Sequence, residues 1–277
     1  MVFEDEKLIA VLPANYKDDE VFSHQGLTYG GVVLSHKTKF KAILKVFKSL
    51  LKFLNDSEIK FLTIKELPFF YADKFSSEIN YLFFLLQAKL TRRDLLSVMD
   101  MSKEITLSKD RKEGIKRGFK NGLKVVEVDD FEEFWQQILI PNLQEKHSVL
   151  PVHSLAEIQQ LKTKFPNAIR QFNVYHNDKI VAGTTIFETK TTAHSQYISS
   201  NCQKNELGSL DFLHHKLISE VFASKRYFDF GISNENQGKT INEGLLYWKE
   251  SFGSGLVSQD FYQIETSNHK LLEKVLI

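Results

Sequence analysis

One lysine near the end of the chain occupies a position where the helical pattern predicts an apolar residue. Residues 241–251 predict a helix, and on a helical wheel its apolar stripe consists of Ile241, Leu245, Trp248 and Phe252. Lys249 falls inside this arc, so its ammonium group must extend to solvent, pair with an acceptor or face a polar cleft. Two interpretations remain open: the helix dipole favours a lysine in the last turn, or the cation holds a phosphate, a carboxylate or a developing oxyanion.

The loop that precedes this helix carries polar side chains and one glycine. It follows a predicted strand, and ligands of open α/β sheets usually bind beyond the carboxyl ends of strands. Thr240 and Glu243 fit a capping box at the start of the helix. A polar surface loop without a ligand is the alternative. If the loop binds a substrate, the candidate residues are Ser233, Asn234, Asn236, Gly238 and Lys239, with Asn242 on the helix.

Histidine and tyrosine side chains on predicted strands are candidates for proton transfer. His194 and Tyr197 lie in a predicted strand meander and, with Lys249, are the candidate catalytic residues. His24 and Tyr29 lie in the segment "SHQGLTYGG" and are candidate substrate-binding residues. The alternative for each histidine is a strand residue whose hydrogen bonds are satisfied within the fold, and tyrosines are common in strands.

A basic segment lies between the two halves of the chain. Residues 89–124 contain eleven Lys and Arg against five Asp and Glu, and within them 108–121 predicts a helix with Ser108 as its N-cap. A tRNA acceptor end or an anionic nucleotide precursor could bind there, with Arg111 and Arg117 as candidate contacts. A solvated charged helix is the alternative. The net charge of the whole chain is only +1, which indicates that any such contact is small.

The elements that must position these residues occur twice along the chain. "EKLIAVLPAN" (6–15) and "DKIVAGTTIF" (178–187) share a strand pattern at an offset of 172, and an apolar helix follows each copy. A further short strand, "FLTI" (61–64), then matches "YFDFGI" (227–232). Agreement at nearly constant offsets favours an internal duplication over a chance match of periodic patterns.

The two copies do not begin at the same point. A strand and two helices precede the second copy, the first helix at 130–146 with an interruption at Pro141, and no such elements precede the first copy. We therefore expect an incomplete domain over 1–100 and a complete domain over 101–277, which ends with a strand at 257–265. The late start of the first copy suggests that the first methionine is not the ancestral start.

Composition limits the classes of protein to which the chain can belong. Its 277 residues are enough for two domains, and 42% hydrophobic residues can fill large cores. Cys202 is the single cysteine, which rules out an intrachain disulfide framework and fits a reducing compartment. The charged N-terminus predicts no signal peptide, and the longest apolar run, 81–86, is too short to span a membrane. The sequence therefore predicts a cytoplasmic protein.

Three segments are similar to those of a known family: "SHQGLTYGG" (23–31), "SKDRKEGIKRGFKNGLKV" (108–125) and "FDFGISNENQGKTINEGLLYWKESFG" (228–253). With the order of the predicted elements, they resemble the GNAT-type N-acyltransferases, and in particular the bacterial Fem family of peptidoglycan aminoacyltransferases. The resemblance implies an α/β (α+β) fold of two tandem GNAT-like domains with mixed sheets. It also implies transfer of an acyl or aminoacyl group onto an amine of a cell-wall precursor or a peptide, with Lys249 in contact with substrate.

The sequence leaves two alternatives for the acyl donor. GNAT enzymes that use acyl-CoA bind its pyrophosphate on the amides of a helix N-terminus, in a motif Arg/Gln-x-x-Gly-x-Gly/Ala. Here the turn reads "NELGSL", in which Gly208 is kept while Asn205 and Leu210 replace the other two motif residues. This difference favours aminoacyl-tRNA, the donor of the Fem type, over acyl-CoA. No tightly bound cofactor is expected.

A non-catalytic GNAT-like module that binds a peptidoglycan precursor or a related polymer is the second hypothesis. The altered phosphate turn and the incomplete first copy favour it. No metal is expected, because the sequence contains no HExxH motif, no cysteine pair and no EF-hand loop. Under the first hypothesis, Lys249→Ala should abolish transfer while the melting temperature stays nearly unchanged.

Overall fold

Strands and helices alternate along the chain, and the computed structural model describes residues 1–35, 37–72 and 77–276. The strands are β1 (Val2–Glu4), β2 (Lys7–Val11), β3 (Asn15–Lys17), β4 (Glu20–Phe22), β5 (Val33–Leu34), β6 (Phe61–Lys65), β7 (Lys89–Asp100), β8 (Lys124–Val128), β9 (Ile169–His176), β10 (Lys179–Glu188), β11 (Thr192–Ser200), β12 (Tyr227–Ile232), β13 (Asn234–Glu235), β14 (Thr240–Ile241) and β15 (Gly255–Glu265). The α-helices are α1 (Phe40–Asp56), α2 (Glu78–Leu85), α3 (Lys109–Lys120), α4 (Glu132–Phe134), α5 (Ile140–His147), α6 (Leu155–Lys164), α7 (Lys204–Leu207), α8 (Ser209–Lys216) and α9 (Glu243–Glu250). Short π-helical segments cover Trp135–Leu139 and Leu217–Val221, and 3₁₀ segments cover Phe69–Tyr71 and Thr266–Leu272.

These elements belong to two units, each with its own hydrophobic core. The first unit contains Met1–Asp94, Asn236–Thr240 and the chain from Ser258 onward, and the second contains Leu95–Glu235 and Ile241–Val257. In the described part of the chain, no helix combines the length and the hydropathy that crossing a membrane requires.

The first unit is built around α1, an amphipathic helix that the sequence predicts. Its apolar face buries Ile43, Phe47 and Leu51, while its lysines lie on the other face. One sheet has the order β1-β2-β5, and another has the order β3-β4-β6-β15-β7, to which β7 contributes its first residues. Within the second of these sheets β4 and β6 run parallel, and β6 and β15 run antiparallel.

The last strand joins the first unit, whereas the sequence pattern predicts 257–265 as the closing strand of the second domain. Phe61–Lys65 of β6 pairs with Phe261–Glu265 of β15, and Ile264 lies in the core cluster that contains Leu62. The assignment was wrong because the alternation of a strand specifies which of its faces is buried, and not which sheet it joins.

The second unit contains a mixed sheet with the order β7-β12-β11-β10-β9-β8, to which β7 contributes its last residues. β11 and β12 run parallel, and the neighbouring pairs run antiparallel. One core cluster includes Leu213 of α8 and Phe228 of β12, and a second includes Trp135 and Ile169. The predicted α/β class with mixed sheets is confirmed.

The helical segment from α4 to α5 continues through Pro141, where the sequence predicts an interruption. Pro141 lies in the first turn of α5, directly after the π-helical segment Trp135–Leu139. A proline is tolerated in a first turn because the N–H group that it lacks is not needed there for a helical hydrogen bond.

Strand pairing in the two units has the same register, which supports the predicted duplication. In the first unit Val2 of β1 lies opposite Ala10 of β2. In the second unit Val174 of β9 lies opposite Ala182 of β10, which is the same pair at the predicted offset of 172. Because a slip of one residue would turn every side chain to the other face, agreement in register is a strict test.

The parallel pairs also correspond. Phe22 of β4 lies opposite Thr63 of β6, and His194 of β11 lies opposite Asp229 of β12. The first copy of the fold therefore has a phenyl ring and a hydroxyl where the second copy has an imidazole and a carboxylate.

Candidate functional site

The candidate site of the second unit lies where the parallel pair of strands ends. The ladder between β11 and β12 stops at His194 and Asp229. Gly231 then adopts a φ of +72°, which is in the left-handed region. The carbonyl groups of Gly231 and Ile232 accept hydrogen bonds from Nζ of Lys249 on α9, at 3.1 and 2.6 Å. The ammonium group thus supplies the donors that these carbonyls need.

Lys249 is only 2% exposed, so its ammonium group does not extend to bulk solvent. Burial lowers its pKa to about 8, and the charge of Asp229 opposes this shift. The group therefore stays mostly protonated at neutral pH. Among the described residues the two carbonyl groups are its hydrogen-bond partners. An ammonium group has three N–H donors, so one donor remains for a ligand.

His194 and Asp229 form a buried pair beside this lysine. Nδ1 of His194 lies 2.9 Å from Oδ2 of Asp229, and the backbone N–H of Gly231 donates to Oδ1 of Asp229 at 2.7 Å. A Cβ atom added to Gly231 would lie 3.4 Å from Cε1 of His194. Gly231 therefore forms hydrogen bonds with Asp229 and Lys249 and lies beside the ring of His194, so the structure brings together the catalytic candidates His194 and Lys249.

Tyr197 belongs to a different group of contacts in the second unit. Its hydroxyl oxygen accepts a hydrogen bond from the backbone N–H of His153 at 3.0 Å and lies 2.7 Å from Nδ1 of the same residue. Its ring packs against Trp135 with the ring centroids 5.1 Å apart, and burial raises the pKa of the phenol. The proton-donor role proposed for Tyr197 thus has no support from the contacts around Lys249.

Two of the candidates that follow β12 in the second unit accept hydrogen bonds from backbone N–H groups. Oδ1 of Asn234 accepts from the N–H of Leu95 at 2.6 Å, and Oδ1 of Asn242 accepts from the N–H of Leu245 at 3.0 Å. Ser233 is 4% exposed, and its hydroxyl has no hydrogen-bond partner among the described residues. Ser233 directly follows Ile232, whose carbonyl binds Lys249, so it adds an unused polar atom to this region.

The capping box at Thr240 and Glu243 does not form. Thr240 lies in the short strand β14, and α9 begins at Glu243 with Asn242 as its N-cap. Asparagine and threonine both favour the N-cap position, so the sequence offers Thr240 and Asn242 as caps. Asn242 is the cap because Thr240 lies in the strand β14.

Three other loop candidates, Asn236, Gly238 and Lys239, belong to the first unit. Asn236 donates from Nδ2 to the Thr240 hydroxyl at 3.0 Å, and Lys239 is exposed. A Cβ atom added to Gly238 would lie only 2.5 Å from the carbonyl oxygen of Arg93. The close approach that this glycine permits is therefore an approach to the chain's own strand β7.

His24 and Tyr29 lie in a loop of the first unit that the second copy lacks. The offset between the copies is 172 at Phe22 and 166 at Val33, so the first copy has six additional residues between them. His24 is exposed with a φ of +42°, and the ring centroids of Tyr29 and Tyr71 are 4.3 Å apart.

Lys65, at the end of β6 in the first unit, was not predicted as a site residue. Burial lowers the pKa of its ammonium group to about 8, with the charge of Asp94 acting in the opposite direction. Nζ donates to the carbonyl of Leu27 at 3.2 Å and lies 5.7 Å from the ring centroid of Phe261. The sequence did contain a signal for Lys65, namely a charged residue at the end of a mostly apolar strand.

The turn at Gly208, which keeps part of the acyl-CoA motif, is covered by α3 within the second unit. A Cβ atom added to Gly208 would lie 2.1 Å from the carbonyl oxygen of Gly114 on α3. Asp211, in the first turn of α8, pairs with Arg111 and accepts a hydrogen bond from Nε1 of Trp248 at 2.8 Å. Protein groups therefore occupy the helix N-terminus that a pyrophosphate would need.

The two arginine candidates on α3 differ in exposure. The predicted N-cap is confirmed, since the hydroxyl of Ser108 accepts from the N–H of Arg111 at 3.3 Å. Arg111 is used in the buried ion pair with Asp211, whereas Arg117 is exposed. The exposed lysines of the same helix are Lys109, Lys112, Lys116 and Lys120.

Comparison with known proteins identifies structures of similar fold. The C-terminal domain of a protein from Agrobacterium fabrum that is assigned as a lysylphosphatidylglycerol synthetase superposes with a TM-score of 0.67 and 12% identity, over 95% of this chain and 84% of that chain. L-PGS from Bacillus licheniformis gives a TM-score of 0.66 and 11% identity, over 95% and 85% of the chains. FemX gives a TM-score of 0.64 and 11% identity, over 94% of this chain and 89% of that chain.

No family model and no curated protein sequence matches the chain. At these identities the structural likeness shows the fold alone. The GNAT-like fold implied by the sequence is confirmed, and the assignment to the Fem family in particular remains a prediction.

Proposed function

We propose that this chain transfers an acyl or aminoacyl group onto an amine acceptor, and that the reaction takes place at Lys249. The observation that carries the proposal is the buried ammonium group, which keeps one N–H donor beside the end of the β11–β12 ladder. The fold is shared with FemX and with a protein whose assigned name describes a lysylated product. The sequence resemblance to the Fem family points to the same class of reaction.

The chemistry of acyl transfer explains why a buried cation would be useful. When an amine attacks an acyl ester or thioester, negative charge develops on the carbonyl oxygen. A fixed positive charge in a site with little water stabilises that oxygen strongly and needs no rearrangement during the reaction. The carbonyl groups of Gly231 and Ile232 hold Nζ of Lys249 in place, which meets this requirement for pre-organisation.

We propose aminoacyl-tRNA as the donor in preference to acyl-CoA. The helix N-terminus that would bind the CoA pyrophosphate is covered by α3 and occupied by Asp211 and Arg111. The exposed lysines of α3 provide a local basic surface for the phosphates of an acceptor end. For the acceptor, the Fem resemblance favours the amine of a cell-wall precursor or a peptide, in a cytoplasmic setting.

A binding module without catalysis is the second candidate. It is favoured by the two hydrogen bonds of Lys249 to backbone carbonyls, because these bonds give the lysine a structural role that needs no substrate. On this view the protein would bind a muropeptide-like ligand and release it unchanged.

The test offers the protein both kinds of donor. Bulk tRNA charged with radiolabelled amino acids, and separately labelled acetyl-CoA, is incubated with a UDP-linked muropeptide and with simple alkylamines. Label that survives mild alkali, which cleaves esters, measures amide formation. Transfer from aminoacyl-tRNA that Lys249→Met abolishes supports the proposal, with Lys179→Met as the control because Lys179 is exposed at the start of β10.

Other outcomes separate the alternatives. Transfer from acetyl-CoA alone would overturn the choice of donor. Muropeptide binding by calorimetry, without transfer from either donor, would establish the binding module in place of the enzyme.

A further inference from the structure

We propose that His194 is the general base of this reaction and that Asp229 is its positioning residue; the inference rests on the proposed acyl transfer. The two side chains end the parallel ladder between β11 and β12, and Nδ1 of His194 lies 2.9 Å from Oδ2 of Asp229. A base that is oriented by a carboxylate is the arrangement by which many enzymes activate a nucleophile.

The hydrogen bonds fix which nitrogen of the imidazole can accept a proton. A carboxylate only accepts hydrogen bonds, so Nδ1 of His194 carries the hydrogen and Nε2 carries the lone pair. The N–H of Gly231 donates to the other carboxylate oxygen at 2.7 Å, which prevents Asp229 from rotating. Nε2 has no hydrogen-bond partner among the described residues, so its lone pair is available to a substrate.

Asp229 on β12 and Lys249 on α9 bring opposite charges to this group. The charge of Asp229 opposes the lowering of the pKa of Lys249 by burial. Asp229 and His194 are both nearly inaccessible, at 0% and 4% exposure, so an unbalanced charge here would be costly. When His194 takes a proton, the carboxylate of Asp229 stabilises the resulting imidazolium.

The reaction needs such a base because an alkylamine acceptor is protonated at neutral pH. The acceptor nitrogen loses a proton to Nε2 of His194 and forms a bond to the acyl carbon. The bond from that carbon to the oxygen of the donor ester then breaks, and the leaving oxygen takes the proton from the imidazolium. The nitrogen then carries one proton more than an amide and releases it to solvent, so the products are an amide, an alcohol and a proton, and His194 returns to its neutral form.

Other side chains of the second unit are less suited to this step. The ammonium group of Lys249 is already protonated and donates to two carbonyl groups, so it acts as a cation and not as a base. The hydroxyl of Tyr197 is engaged by His153, and the hydroxyl of Ser233 is too weak a base.

The decisive variant is His194→Asn. The amide nitrogen of asparagine can replace Nδ1 and keep the hydrogen bond to Asp229, but asparagine has no counterpart of Nε2. We expect the variant to melt like the wild type and to lose about 10²- to 10⁴-fold in kcat with an alkylamine acceptor. Asp229→Asn favours the wrong tautomer of His194, so its kcat should decrease by a factor in the same range.

Hydroxylamine as acceptor separates a chemical role from a structural one. It is unprotonated at neutral pH, so it does not need the base. After subtraction of the enzyme-free rate, the loss in His194→Asn should shrink to less than about tenfold with hydroxylamine. A structural role would reduce the rate with both acceptors equally.

The results distinguish this inference from the function on which it rests. If the wild type transfers and His194→Asn transfers as fast to the alkylamine, the assignment of His194 is overturned while the function stands. Equal losses with both acceptors overturn it as well. If the wild type transfers from neither donor to any acceptor, the proposed function and this inference are both overturned.

Discussion

The buried ammonium group of Lys249 predicts an unusual dependence of stability on alkaline pH. Its pKa is about 8 in the fold and 10.5 in the unfolded chain. Between these values the unfolded chain holds a proton that the folded chain has lost, so raising the pH favours the folded state. One pKa unit corresponds to about 1.4 kcal/mol, so the free energy of unfolding should gain about 2 to 3 kcal/mol from pH 7 to pH 10 through this group.

Two opposing effects of Lys249→Met on stability make the pH dependence a better measurement than the stability at a single pH. Lys249→Met leaves two carbonyl groups without donors, which costs about 1 to 3 kcal/mol for each buried group. The substitution also removes the penalty of a buried charge, about 3 kcal/mol by the same shift. The two effects nearly cancel at pH 7, so a single melting temperature says little, and the alanine variant adds a cavity to the comparison.

The assay is urea unfolding of wild type, Lys249→Met and the control Lys179→Met, at pH values from 7 to 10. Trp135 and Trp248 are the two tryptophans of the chain, and both lie in the second unit, so their fluorescence reports on the unit that contains Lys249. Over this range the free energy of unfolding of the wild type should rise by about 2 to 3 kcal/mol relative to that of Lys249→Met. The control should follow the wild type.

Parallel curves for wild type and Lys249→Met would refute this reasoning, because they would mean that Lys249 titrates alike in both states. The inferred pre-organisation of a buried cation would then be lost, and with it the physical basis for placing an oxyanion there.

Three further predictions concern contacts within one unit or the other. Gly118→Ala should cost about 1 to 3 kcal/mol in urea unfolding, because its Cβ atom would lie 2.5 Å from Cβ of Phe212. Asn242→Ala should cost about 1 kcal/mol while Thr240→Ala changes little, since Asn242 caps α9, and equal losses would contradict the cap. In ¹³C-lysine NMR, one resonance that disappears in Lys65→Arg should titrate near pH 8, and a titration above pH 10 would contradict its burial.

Local patterns were sufficient for much of the fold. The i, i+3, i+4 spacing of α1 and the N-cap at Ser108 predicted structures that form as expected. The predicted offset of 172 also relates the observed register of β1 with β2 to that of β9 with β10. These features depend on side chains that are close in sequence, or on a comparison of one segment with another.

Features that depend on contacts between distant segments were missed. In "FDF" the residue Asp229 resembles the polar face of a strand, and only the fold brings His194 beside it. β15 joins β6 across most of the chain length, and no local signal specifies that pairing. Gly114 and Gly118 gave no sign in the sequence that α3 crosses α8 closely enough to cover the turn at Gly208.

The duplicated register shows how the two copies have diverged at the site itself. Position 231 of the second copy corresponds to position 65 of the first, by the offset of 166 that relates Asp229 to Thr63. Glycine at 231 permits the φ of +72° there, and an added Cβ atom would make an ordinary contact with Cε1 of His194 at 3.4 Å. The first copy has Lys65 at this position and Phe22 in place of the histidine. A phenyl ring carries no exchangeable proton, so the mechanism proposed for the second unit has no counterpart at the same register in the first. If the reaction is acyl transfer with His194 as base, it is a property of one copy, and Lys65 can change charge near pH 8 without taking part in it.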